Sequence, residues 1–211
     1  MKDELIELIK VSLPKIHGWC SIEKATAFVD VILKNKPDLC VEIGVFGGSS
    51  LIPQALALRE NSKGYIYGID PWTKDAALEE MIHDDHKKWW SELNIQEIYK
   101  HAQQNIKDFG VTQYCGLLKA KAEDIVQKFD NESIDVLHID GNHSEALSYK
   151  DATLYLPKVK VGGHIMFDDI WWTEEGNYVT TRKAILYLTE YCDKVDLINN
   201  DCLLLQKVKS C

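Results

Sequence analysis

Apolar and polar positions along the chain change period several times. Lys2 to Leu13 and Ser21 to Asn35 space their apolar residues as helices do, with Ser21 as the N-cap of the second and Lys24 where a capping-box Glu would stand. From Asp38 onward, short β-rich runs alternate with helical patterns: Leu39 to Ile43, Tyr65 to Ile69, Gln113 to Leu118, Ile134 to Ile139 and His164 to Phe167. Such alternation predicts a parallel sheet covered by helices on both faces. The last two runs, Lys194 to Ile198 and Cys202 to Val208, are separated only by Asn199, Asn200 and Asp201, too few residues for a helical crossover. They are expected to pair as a hairpin. The predicted fold class is therefore α/β: a Rossmann-like, doubly wound, mostly parallel seven-stranded sheet that ends in an antiparallel hairpin.

One stretch breaks the rhythm. Residues 73–109 are longer than one loop and one helix require, and they are polar, helical in pattern and rich in His and Trp. An insertion there overhangs the carboxyl ends of the strands, where ligands bind in open α/β sheets, so it is expected to be a helical lid. The alternative is a helix pair that packs on the sheet or builds a dimer interface, which makes a homo-oligomer one expectation. Residues 1–211 are expected to form a single domain, with 1–37 as an N-terminal helical cap.

Composition narrows the function classes. A net charge of -9 argues against a general polyanion binder, because nucleic-acid affinity rests on Lys and Arg displacing counterions. The first ten residues mix Lys2, Asp3, Glu4 and Glu7 with the apolar ones, and no later run is long and uncharged enough for a bilayer. No membrane partner and a cytoplasmic location are expected. The six cysteines lack any C-x-x-C pair and are expected to be reduced thiols without chemistry.

Val41-Glu42-Ile43-Gly44-Val45-Phe46-Gly47-Gly48-Ser49-Ser50 ends a strand in a glycine-rich turn and opens a helix, whose unpaired N–H groups face a ligand. Phe46 occupies the second glycine of a dinucleotide fingerprint, and Glu42 precedes the turn. A carboxylate there repels a pyrophosphate and favours the ammonium and sulfonium of S-adenosylmethionine. At the end of the next strand, Asp70 of Gly68-Ile69-Asp70-Pro71-Trp72 is placed to accept from ribose hydroxyls, a role that would serve NAD equally.

These segments, with His138-Ile139-Asp140-Gly141-Asn142-His143 and Phe167-Asp168-Asp169, resemble the class I methyltransferases, and more narrowly the subgroup of macrocin O-methyltransferase and proteins called cephalosporin hydroxylases. The resemblance covers roughly residues 38–208. It implies that Glu42, Gly44 and Ser49, with Gly48 beside them, surround the methionine part of the cofactor, and that Asp70 and the adjoining Trp72 hold the ribose. Where the family has an acidic adenine contact, this chain has Ala120-Lys121-Ala122, so Lys121 and Ala122 carry that role over only loosely.

Two further strand ends carry candidate chemistry. Asp140, Asp168 and Asp169 should converge on one rim, and three carboxylates brought together are costly unless a cation binds them. Hard oxygen ligands suit Mg²⁺ or another divalent cation, and by resemblance these three match the subgroup's metal ligands. Asp169 could instead be a turn residue. His143 lies three residues after Asp140, matching the subgroup's Asp-x-x-His, and is the candidate base for a hydroxyl of a small-molecule acceptor; an exposed loop histidine near a helix start is the alternative. Asp140 borders both cofactor and acceptor and is assigned to catalysis as well. His138, inside an apolar strand, is expected to be a hydrogen-bonded core residue, and His83-Asp84-Asp85-His86 a solvated helix start rather than a metal site. The expected function is metal-assisted O-methylation of a sugar, catechol or natural product with S-adenosylhomocysteine as product. A metal-independent methyltransferase and an NAD-type oxidoreductase are the alternatives.

Overall fold

A computed structural model of the chain describes residues 2–173, 176 and 178–211. Its centre is a seven-stranded sheet built from β1 (Leu39–Ile43), β2 (Tyr65–Asp70), β3 (Cys115–Lys119), β4 (Ile134–Ile139), β5 (Val159–Phe167), β6 (Cys192–Ile198) and β7 (Cys202–Lys207), in the order β3-β2-β1-β4-β5-β7-β6. The first five strands run parallel to one another; β7 runs antiparallel to both β5 and β6. The seven-stranded sheet with its closing hairpin is the one expected from the sequence. Order reverses between β1 and β4, the place in such sheets where a crevice opens at the carboxyl ends.

Helices cover both faces, as the apolar β1 requires. On one side lie α1 (Lys2–Ser12), α2 (Ile22–Asn35), α3 (Leu51–Asn61) and α6 (Ile95–Asp108), and on the other α7 (Ala122–Ile125), α8 (Glu145–Tyr155) and α9 (Arg182–Thr189), each group burying its own apolar cluster. Ser21 caps α2 by accepting from the Lys24 N–H at 3.1 Å, and Lys36 ends it in the left-handed conformation.

The long insertion divides into two unlike parts. Ile95, Ile98, Ala102 and Ile106 recur every three or four residues along α6 and are buried, so α6 is the ordinary crossover helix preceding β3, not part of a lid. By contrast α4 (Lys74–Leu78) and α5 (Asp84–Glu92) bury no residue fully, and Ala76, Ala77, His86, Trp89 and Trp90 from them line the cavity at the rim. The helical period alone could not separate them, because both are helical and only burial differs. Among the described residues, no helix is long and apolar enough to cross a membrane.

Candidate active site

The rim is in register across four strands. Gly44 donates to Ile69 O at 2.9 Å, Asp140 to Ile43 O at 2.8 Å and Asp168 to Ile139 O at 3.0 Å, so the residues that follow β1, β4 and β5 leave the sheet side by side. Gly44 is obligatory at its place: its φ is +85°, and a Cβ would stand 1.9 Å from the Asp140 carbonyl oxygen. The glycine turn and the Asp140 loop are thereby pressed together. The N-terminal segment joins them, since a Cβ on Gly47 would meet His17 O at 2.4 Å and the Cys20 N–H donates to Ser49 Oγ at 3.3 Å.

Asp70 clasps the turn. One carboxylate oxygen accepts from the Val45 and Phe46 N–H groups at 3.1 and 3.0 Å, and the other from Trp72 N–H at 2.7 Å. The Oδ1 that accepts from Trp72 keeps a further lone pair, and Asp70 lines the cavity, so accepting from a ligand hydroxyl remains open to it. Burial raises its pKa, with the three backbone donors opposing. Trp72 is buried with its indole N–H on Phe46 O at 2.8 Å. Phe46, Trp72 and Asp169 have positive φ values of 51°, 44° and 53°, and all three line the cavity. Non-glycine residues in this region are uncommon and concentrate at functional sites.

Beyond the turn lies a cavity of about 620 Å³, within the usual range for small-molecule sites. Its walls include Gly44, Ser49, Asp70, Trp72, Lys121 and Ala122, and on the far side Asp140, His143 and Asp169. Gly48 holds the turn from behind, its N–H on Val45 O at 2.8 Å. Lys121 is engaged by Glu79 at 2.6 Å, tying the covering segment to the rim.

Glu42 is placed differently from the sequence expectation. It is fully buried behind the cavity wall, accepting from Ser50 Oγ at 2.8 Å and from Gln54 Nε2, and it faces its cross-strand neighbour His138 with Nδ1 3.3 Å away. Alternation along β1 turns Glu42 toward α3, so it braces the start of that helix instead of meeting a cation in the cavity. The carboxylates that do line the cavity include Asp70, Asp140 and Asp169, with Glu79, Glu123, Asp151 and Asp201 on the same wall. Asp151 is pushed up to about 7 by burial and the nearby Glu123.

The three aspartates converge but do not form one group. Ligand atoms close enough to share a cation fall into two sets that overlap at Asp140: His138, Asp140 and Asp168, and Asp140, His143 and Asp169. In the first, Asp168 is 2% exposed and its Oδ2 receives Lys24 Nζ at 2.6 Å; His138 Nε2 stands 3.7 Å from Asp168 and 4.0 Å from Asp140. Burial opposes charge on both Asp168 and His138, yet their pairing, with Lys24 on one side and Glu42 on the other, holds Asp168 down at about 2 and His138 up at about 10. His138 is thus a core residue in a charged setting, packed edge-on against Phe28.

The second set faces the cavity. His143 Nε2 is 2.9 Å from Asp169 Oδ2 and 3.9 Å from Asp140 Oδ1. Burial opposes charge on the imidazole, but the Asp169 bond and the nearby carboxylates outweigh it and raise its pKa. Asp140 is raised well above the ordinary carboxylate range, mainly by burial and then by Asp168. The His143 ring packs on Trp172 at 4.7 Å, and Trp172 on His86 of α5 at 5.0 Å. His83 and His86 stack at 4.6 Å, and neither falls in a metal-spaced set among the described residues.

Lys24 escaped the sequence reading, which noted only its capping position. The available signal was a lysine on the same stripe of α2 as Phe28, Val31 and Ile32. Asp201, read only as a turn residue, lies 4.0 Å from the same ammonium.

Residues 41–170, more than half of the chain, match the family model described as a methyltransferase domain. The chain belongs to this methyltransferase family, and the oxidoreductase alternative falls. Solved structures agree in fold. The O-methyltransferase NovP shares 17% identity at a TM-score of 0.71, over 92% of this chain and 83% of that one. The Bacillus cereus O-methyltransferase, solved with S-adenosylhomocysteine, shares 14% at 0.63, over 99% and 90%. TomG of Streptomyces achromogenes, an O-methyltransferase of tomaymycin synthesis solved with S-adenosylmethionine, shares 15% at 0.63, over 90% and 82%. A search of the curated proteins gives no match.

Proposed function

We propose that this methyltransferase uses S-adenosylmethionine to methylate a hydroxyl oxygen of a small acceptor such as a sugar, a catechol or a natural product. One observation carries the reading: a single cavity joins the glycine turn and Asp70 to Asp140, His143 and Asp169. Its walls suit the donor. Asp70 offers acceptor capacity for a ribose, the turn offers Gly44 and Ser49, and the carboxylates of Asp140 and Asp169 favour a cationic sulfonium over an anionic pyrophosphate. When bound, the donor supplies a methyl group already activated by its leaving group, so the chain has to orient and deprotonate the acceptor. His143, held by Asp169, takes the acceptor proton, and Trp172 fixes the imidazole plane. The narrower likeness to the macrocin O-methyltransferase subgroup belongs to this same proposal and rests on Asp140 and His143 in their Asp-x-x-His spacing.

A divalent cation fits Asp140, Asp169 and His143 by donor chemistry; His143 would then be a ligand rather than the base, and the cation's contribution would be to lower the pKa of the acceptor hydroxyl. Asp168 is already committed to Lys24. That observation favours a second reading, a methyltransferase needing no metal, because Lys24 and His138 supply positive charge that three clustered carboxylates otherwise lack. The experiment is an acceptor screen that measures S-adenosylhomocysteine formation, with Mg²⁺ and with EDTA. Turnover lost in EDTA supports the metal role, unchanged turnover supports the second reading, and no product with any sugar, catechol or phenol counts against the acceptor class.

A further inference from the structure

We propose that Lys24 is the resident cation of the inner acidic set: its ammonium takes the place a divalent ion would need at Asp168, and so confines any metal to Asp140, Asp169 and His143. Lys24 projects from the stripe of α2 that also buries Phe28 and Ile32, and it reaches the rim with only 7% of its surface exposed. The ammonium lies 2.6 Å from Asp168 Oδ2 and 4.0 Å from Asp201 Oδ2. The other Asp168 oxygen accepts from the Asp169 N–H at 3.2 Å, so both oxygens are in use.

What surrounds the ammonium is a set of residue types that a metal takes once the His138 imidazole gives up its proton. His138 is completely buried, neither ring nitrogen has a hydrogen-bond partner, and Nε2 faces Asp168 and Asp140 at 3.7 and 4.0 Å. One atom from each of His138, Asp140 and Asp168 lies within 4.8 Å of the others, a span one cation can bridge. Lys24 already holds the Asp168 corner, and a doubly charged ion beside it would face direct like-charge repulsion. Lys24 is thus a positioning residue that decides which aspartates remain open to a cation. The inference concerns cation occupancy and holds whether or not the chain methylates a hydroxyl.

The test is an Mn²⁺ titration followed by the spin-resonance signal of the free ion, on wild type, Lys24→Met and Asp168→Asn, with circular dichroism as the check on folding. Lys24→Met is expected to bind Mn²⁺ at least about tenfold more tightly than wild type, and Asp168→Asn to keep wild-type affinity to within about twofold, against the roughly 10–100-fold losses seen when a metal site's supporting residues are removed. Lys24→Gln, which keeps a donor for Asp168 without the charge, replaces Lys24→Met if that variant does not fold. A folded Lys24 variant that binds Mn²⁺ no better than wild type overturns the proposal. A loss of about tenfold or more in Asp168→Asn does so as well, since it would make Asp168 a ligand.

Discussion

Two acidic sets share Asp140 and sit on the same rim, yet they are built for different work. The inner one is mostly buried: Asp168 and His138 are buried, Lys24 and Glu42 flank them, and Asp168 is absent from the cavity wall that Lys24 reaches. The outer one is part-exposed, and Asp140, His143 and Asp169 all face the cavity. The same residue types therefore do unlike things according to whether a counter-charge is already built in. Charge paired inside the protein holds α2 to the sheet, and charge left facing the cavity is available to a ligand.

The sharpest way to separate the sets is to remove one member of each. Loss of the base in His143→Ala should lower turnover by about 10²–10⁴-fold, measured as S-adenosylhomocysteine formation, while donor affinity by calorimetry stays close to wild type. Lys24→Met should leave Asp168 as an unpaired buried carboxylate and cost about 3–5 kcal/mol in urea unfolding, with Lys24→Met/Asp168→Leu recovering much of that loss. A Lys24→Met variant as stable as wild type would remove the distinction between the sets.

Acidity tests the same contrast. The folded-state pKa of Asp168 is depressed from 3.8 to about 2, so its stabilising contribution is complete above the unfolded value and is lost as pH falls through about 2. Acid unfolding of wild type should lie well below that of Lys24→Met. The pKa of His143 is raised, so base catalysis should switch on at a pH above its ordinary 6.5, and the rate of methyl transfer against pH should show that ascending limb. The smallest effect is expected at the cavity mouth. Trp19 is 63% exposed and packs on Phe46 and Trp89 at 4.9 and 5.5 Å. Trp19→Ala should leave the melting temperature nearly unchanged and shift acceptor KM a few-fold, as loss of an exposed aromatic contact worth about 1 kcal/mol predicts.

Most of the frame was legible because it is local. Short apolar runs between turn signals marked the strands, the three-residue turn before Cys202 forced the hairpin, and the Gly44 turn with Asp70 marked the crevice. What stayed hidden depends on distance across the fold. Lys24 and Asp168 are 144 residues apart in the chain, and no spacing rule joins them. The facing of Glu42 depended on strand alternation against neighbours whose register the sequence does not state, and α6 separated from α4 and α5 only when burial was seen.

The most direct test of the account is calorimetric titration of S-adenosylmethionine, and separately of NAD⁺, into the purified protein. The account predicts that the methyl donor binds at a single site and NAD⁺ does not; binding of NAD⁺ without binding of the donor would contradict the reading of the cavity from the Gly44 turn to Asp140.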